Sequence, residues 1–162
     1  MKAEECKLES SLAEDRELSN IWRHSKTIAV VGISPKVERP SHRVAKYLIE
    51  KGFKVIGVNP NCEEVLGAKC YPNLKSIPEH VDMVDIFRKI DAIPGVVDEA
   101  IAIGADTVWM QLGLEHEESA RKARQAGLKV VMNKCTKIEH SRLTVDATVL
   151  AENPEIDLNR RA

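Results

Sequence analysis

KTIAVVGISPKVERPSHRVAKYLIEKG, residues 26–52, decides how the rest of the chain is read. It opens on a short apolar run, residues 27–31, and breaks at Gly32. A loop carrying Ser34, Pro35, Lys36, Arg39 and Pro40 follows, and then a helical pattern. Val44, Ala45, Leu48 and Ile49 recur at the spacing of one helix face. Ser41 is the expected N-cap, and Gly52 stands where a helix is closed by a glycine. Strand, glycine turn and helix make the opening of a nucleotide-binding βαβ unit. Such a helix start offers free N–H groups and a positive dipole end to a phosphate.

The loop departs from the three-glycine dinucleotide fingerprint. Only Gly32 is present; Ser34 and Val37 occupy the places of the second and third glycines. Lys36, Arg39 and Arg43 make the loop basic. Two readings stand at this point. One is an ordinary βα loop with solvated charges. The other is a diphosphate site built from backbone N–H groups, the Ser34 hydroxyl and cationic side chains.

Working outward, FKVIGV at 53–58 reads as a second strand, stopped by Asn59-Pro60-Asn61. Residues 61–80 read as a connector punctuated by Gly67, Pro72 and Pro78. VDMVDIF at 81–87 reads as a third strand, with Asp82 and Asp85 lying near its ends or capping a neighbour. A helix at 93–103, a strand at 107–112, a helix at 115–126 and a strand at 129–132 complete the alternation. The pattern predicts an α/β fold: a doubly wound, five-stranded parallel sheet of order 3-2-1-4-5, with helices on both faces and the first strand central. Polar groups at the strand ends then gather in one crevice.

Residues 1–25 read as a polar segment ending in a short helix near 15–24 that buries Leu18, Ile21 and Trp22. Residues 144–162 read as a polar tail, leaving 26–143 as the domain. The formal net charge of −1 gives no general attraction to nucleic acid or to anionic membrane. Aromatic residues make up only 4%, too few for base-stacking platforms. No run approaches the ~20 apolar residues of a membrane span, and the N-terminus lacks an apolar signal core. A cytoplasmic protein is expected. Cys6, Cys62, Cys70 and Cys135 form no C-x-x-C pair, and no metal site is expected from their spacing.

The strand ends VVGIS, VNP, VDIFR, VWMQLGLEH and NKCTKIEH together resemble the small stand-alone CoA-binding proteins of bacteria and archaea. More distantly they are similar to the CoA-binding domain of succinyl-CoA synthetase and acyl-CoA synthetases. The resemblance covers roughly residues 26–143. It implies a Rossmann-like domain holding coenzyme A or an acyl-CoA. By position, Gly32, Ile33, Ser34, Lys36, Arg39, Pro40 and Ser41 would hold the diphosphate. Asn59 and Pro60 would border the adenosine, and Phe87 and Arg88 would line the crevice. Gln111 and Gly113 would form its far wall, beside Asn133 and Cys135. Lys134 stands where relatives often carry arginine, which keeps the charge and alters its geometry.

No catalytic residue is singled out. The five histidines are scattered, and neither G-x-S-x-G nor H-E-x-x-H occurs. The nucleotide-forming acyl-CoA synthetases use a phosphorylated histidine in a second domain, for which this chain has no room. The resemblance therefore implies the binding half of such a machine, acting alone, with a protein partner or as a homo-oligomer. Cys135, with Lys134 and Lys137 nearby, is either a packed thiol or a mixed-disulfide partner for the thiol of CoA. The competing function is an NAD(P)-dependent oxidoreductase or nucleotide-sensing domain, an analogy of fold alone. Such folds place an acidic residue where Asn59-Pro60 stands here.

Overall fold

The computed structural model describes residues 2–150. The first element, α1 (Lys2–His24), is a helix of 23 residues, longer than the short helix expected from the sequence. Its stretch holds no glycine or proline and is rich in Glu and Leu, so nothing interrupts the helix once it is nucleated. Leu18, Ile21 and Trp22 are buried, as expected.

The strands are β1 (Thr27–Val31), β2 (Lys54–Val58), β3 (Glu64–Val65), β4 (Ala68–Tyr71), β5 (Met83–Ile86), β6 (Thr107–Met110) and β7 (Lys129–Val131). They form one seven-stranded sheet of order β3-β4-β2-β1-β5-β6-β7, with β1 at its centre. All neighbours pair in parallel except β3 and β4, which form an antiparallel hairpin.

This corrects two expectations. The sheet has seven strands, not five. The strand expected third, now β5, pairs with β1 and β6 rather than lying outside β2. Position three in the 3-2-1-4-5 pattern is taken by β4, from the stretch read as connector. Counting β4 restores the order 3-2-1 on that side of β1, with the strands of the other side following in sequence.

Helices α2 (Pro40–Glu50), α3 (Ile93–Ala102) and α4 (Glu117–Gln125) are the crossovers. β1 to β2 steps one way along the sheet, and β5 to β6 to β7 steps the other. Right-handed connections therefore put α2 on one face and α3 and α4 on the other. The packing agrees. Val96, Val97, Ala100, Ala120 and Ala123 share one core with Ala29, Val31, Val84 and Ile86, and α2 contributes nothing to it. The two-residue pleat turns the buried Val30 and Asp85 to the opposite face.

The acids in β5 separate as their places demand. Asp82 precedes the strand, and its Oδ2 accepts the N–H groups of Lys26 at 2.8 Å and Thr27 at 2.9 Å, capping the start of β1. Asp85 lies inside the strand, fully buried.

Helix α5 (Thr136–Leu150) runs through the point where the tail was expected to begin; the end of that stretch, including Pro154, lies outside the described residues. The chain divides into a unit spanning His24–Thr136 and a second unit formed by the segments before and after it. Within the second unit, Arg142 grips Asp15 through two hydrogen bonds of 2.7 and 3.0 Å and also bonds Glu139. The Trp22 and His140 rings there meet edge-on at 4.9 Å.

Candidate functional site

The parallel strands bring the loops after β1, β2, β5, β6 and β7 to one edge of the sheet. Gly32 sets the first of them. Its φ is +87°, and a Cβ there would run into the carbonyl oxygen of Phe87 and lie 3.2 Å from Arg88 Cδ. The turn after β1 is thus pressed onto the end of β5. Its N–H donates to Val58 O at 2.9 Å, tying it to β2 as well.

The loop that follows is closed by its own hydrogen bonds. The Ile33 side chain is fully buried, so that residue offers only its backbone. The Ser34 N–H donates to Ser41 Oγ at 3.1 Å, and Ser34 Oγ accepts from the Lys36 N–H at 3.1 Å. His42 Nδ1 lies 2.9 Å from Ser34 O, which can only accept, so that nitrogen carries the proton. Ser41 is therefore not the N-cap. Arg39 holds that position and Pro40 opens the helix. Proline suits the first turn because its fixed φ is already helical and the N–H it lacks would go unpaired there. Lys36, Arg39 and Pro40 stand exposed on the loop. None of the ion pairs among the described residues involves Lys36, Arg39 or Arg88.

At the end of β2, Asn59 is a clamp. Its Nδ2 donates to Ile33 O at 2.8 Å, its Oδ1 accepts from the Asn61 N–H at 2.8 Å, and its own N–H donates to Tyr71 O at 3.0 Å. The loop after β1, the loop after β2 and the end of β4 are joined through this one residue, with Pro60 exposed beside it. Phe87 is half-buried after β5, and Arg88 is exposed next to it.

Beyond β6 and β7 the residues named from the sequence part company. Gly113 and Asn133 meet: the Gly113 N–H donates to Asn133 Oδ1 at 2.7 Å, and the Asn133 N–H donates to Leu114 O at 3.0 Å. Asn133 adopts the left-handed conformation, φ +58°, which asparagine tolerates better than most residues. Gln111 instead turns inward. It is buried, and its Nε2 donates to Asp85 Oδ1 and, at 2.9 Å, to Thr136 Oγ1. Thr136 Oγ1 donates in turn to Asp85 Oδ2 at 2.9 Å. Gln111 therefore supports the crevice from beneath rather than lining it. Cys135 is half-buried between Lys134 and Thr136.

Asp85 and Thr136 were missed by sequence reasoning as site residues. The signal for Asp85 was a charge in the middle of a buried strand; Thr136 offered none. Burial of the Asp85 carboxyl away from water raises its pKa to about 7, against the opposing pull of the Gln111 and Thr136 hydrogen bonds.

At the opposite edge of the sheet, His80 Nε2 lies 3.2 Å from Asp106 Oδ2 and 3.5 Å from Asp82 Oδ1. These groups serve the strand starts, with Asp82 already committed to the β1 backbone. His116 caps α4: its Nδ1 accepts the Ser119 N–H at 3.1 Å.

Residues 26–141 match the family model described as CoA binding domain. The uncharacterized protein YneT of Bacillus subtilis is 38% identical over 125 residues, covering 77% of this chain and 93% of that protein. An ADP-forming acetate–CoA ligase of Archaeoglobus fulgidus is 29% identical over 144 residues, 82% of this chain but only 21% of the ligase. Among solved structures, a hypothetical protein from Pyrococcus horikoshii superposes with a TM-score of 0.78 at 45% identity, covering 80% of this chain and 92% of its own.

Proposed function

This chain belongs to the CoA-binding domain family, and on that premise we propose that it binds coenzyme A or an acyl-CoA in the crevice at the C-terminal edge of its sheet. The observation that carries the reading is the match over residues 26–141, which takes in every loop of that edge. The geometry supports it. The Gly32 turn keeps side chains away from the close approach of β1 and β5. Lys36 and Arg39 are exposed on the loop that follows, and Arg88 lies beside Gly32, which offers cationic groups suited to phosphates. The reading is of a binding protein without catalysis of its own. The chain spans about a fifth of the ADP-forming ligase it matches.

The diphosphate is common to CoA, NAD and ATP, so selectivity is set at the end of β2. An NAD site profits there from a carboxylate that accepts the ribose hydroxyls. Here Asn59 occupies that end, its amide engaged with Ile33 and Asn61. Asn59 offers the hydroxyls no carboxylate, and at that position no charge repels the 3′-phosphate of CoA. Titration calorimetry with CoA, dephospho-CoA, acetyl-CoA, NAD and ATP should give tighter binding for CoA than for NAD. Equal or tighter binding of NAD at moderate salt overturns the reading in favour of a nicotinamide-nucleotide protein.

The cations carry a second expectation. Arg39→Ala and Arg88→Ala should each weaken CoA binding by about 1.5–3 kcal/mol, the worth of a charge-assisted hydrogen bond to phosphate. The loss should shrink as salt is raised, because both groups are exposed. Two arginine variants that bind CoA like the wild type would remove the loop from the site.

A further inference from the structure

The segment between β7 and α5 is held by more than its own turn. Asn133 is tied to Gly113 and Leu114 through its side chain and its N–H. The Lys134 carbonyl accepts the Trp109 indole N–H at 2.8 Å. Thr136, fully buried, bonds Asp85 and Gln111. Three consecutive strands therefore hold one corner: β5 through Asp85, β6 through Trp109 and Gln111, and β7 by continuity. Asp85 is placed for this by register, since its paired neighbours are Val30 on β1 and Trp109 on β6. A carboxyl in that fully buried place would be costly without partners. Its two partners are Gln111, buried just after β6, and Thr136, the first residue after Cys135.

We propose that Asp85 is a positioning residue, which acts through Gln111 and Thr136 to fix the Asn133–Cys135 corner as the far wall of the ligand crevice. The inference rests on the CoA reading for its ligand and on the hydrogen-bond geometry for its mechanism. With the Thr136 hydroxyl gone, Asp85 and Gln111 each lose one of their bonds, and the corner keeps only its outer ties at Asn133 and Lys134. Ligand affinity then falls through loss of order in the wall, without loss of any group proposed to touch the ligand.

Thr136→Val tests this, because it removes the hydroxyl at nearly constant shape. Two observables are read on the nitrogen-15-labelled chain of 162 residues. The first is CoA affinity by calorimetry. The second is the indole N–H resonance of Trp109, one of two tryptophans in the chain, which reports its bond to Lys134 directly. Thr136→Val is expected to move the Trp109 resonance and to raise the Kd for CoA about tenfold, the worth of one buried hydrogen bond. Thr136→Ser, which restores the hydroxyl, is expected to return both to wild type. Should the valine variant not fold, Gln111→Met, which removes both amide bonds, is read the same way. An unmoved Trp109 resonance, or a moved one with CoA affinity unchanged, overturns the proposal. A wild-type protein that binds no CoA sinks the ligand reading instead, and the indole resonance alone then decides whether the corner is held as described.

Discussion

Gly32→Ala should destabilise the protein by about 4 kcal/mol, and CoA binding should fall with it. Two costs add. The first is conformational: the residue sits at φ +87°, where a side chain costs about 1–3 kcal/mol. The second is steric, because the new Cβ would run into the Phe87 carbonyl oxygen. That atom is backbone at the end of a central strand, and the Phe87 N–H donates to Val31 O at 2.8 Å, so it cannot step aside cheaply. Gly104→Ala separates the costs. Gly104 has φ +70° with open space where its Cβ would be, so it carries the conformational cost alone, about 1 kcal/mol. Urea denaturation of both variants is the measurement. A Gly32 variant no less stable than the Gly104 variant would show that β1 and β5 do not approach as closely as described.

That close approach also shows how much of the molecule was legible beforehand. Gly32 was marked because a strand that breaks at glycine and continues into a helix opens a βαβ unit, although a lone glycine left an ordinary loop as the other reading. β1 and β2 announced themselves as apolar runs of strand length, and β5 was read as a strand in spite of its two acids. The β3–β4 hairpin did not. Its turn is Leu66-Gly67, with φ of +55° and +78°, the pattern of a two-residue hairpin loop. Such turns are recognised by Asn-Gly or Asp-Gly, and a leucine forced to positive φ carries no such mark. β3 has only two residues and β4 alternates, with Lys69 exposed between Ala68 and Cys70, so neither showed the apolar run of a buried strand. Losing β4 from the reading is what put β5 on the wrong side of the sheet.

The site was legible as a set of strand ends and not as a set of side-chain directions. Doubly wound topology alone brings residues 32, 59, 87, 111 and 133 to one edge. Whether a polar side chain there faces a ligand or its own backbone depends on partners far away in sequence. Asn59 is taken by Ile33 and Asn61, and Gln111 by Asp85 and Thr136. Spacings of this kind, 26 and 25 residues from Gln111 to its two partners, leave no local pattern to read. Exposed cations such as Arg39 and Arg88 were safer inferences, because a long charged side chain avoids burial in either case.

Asp85 leads to the other large effect, on stability as a function of pH. In the folded chain burial raises its pKa to about 7, whereas an ordinary aspartate carboxyl titrates near 3.8. Between those values the folded state binds more protons than the unfolded one. Stability from this group is therefore fully present below about pH 4 and is lost as pH rises through about 7. Roughly three units of difference correspond to about 4 kcal/mol across that window. The other carboxylates also shape the pH curve, so the quantity to measure is the difference between wild type and Asp85→Asn. Asparagine keeps the size of the protonated acid and cannot ionise. Urea midpoints taken from pH 4 to pH 8 should show the variant gaining on the wild type as pH rises, with the gain levelling off above about 7. A wild-type-minus-variant stability difference that stays constant from pH 4 to pH 8 would mean that Asp85 is ionised in the fold from the outset, its charge met by the two hydrogen bonds it accepts.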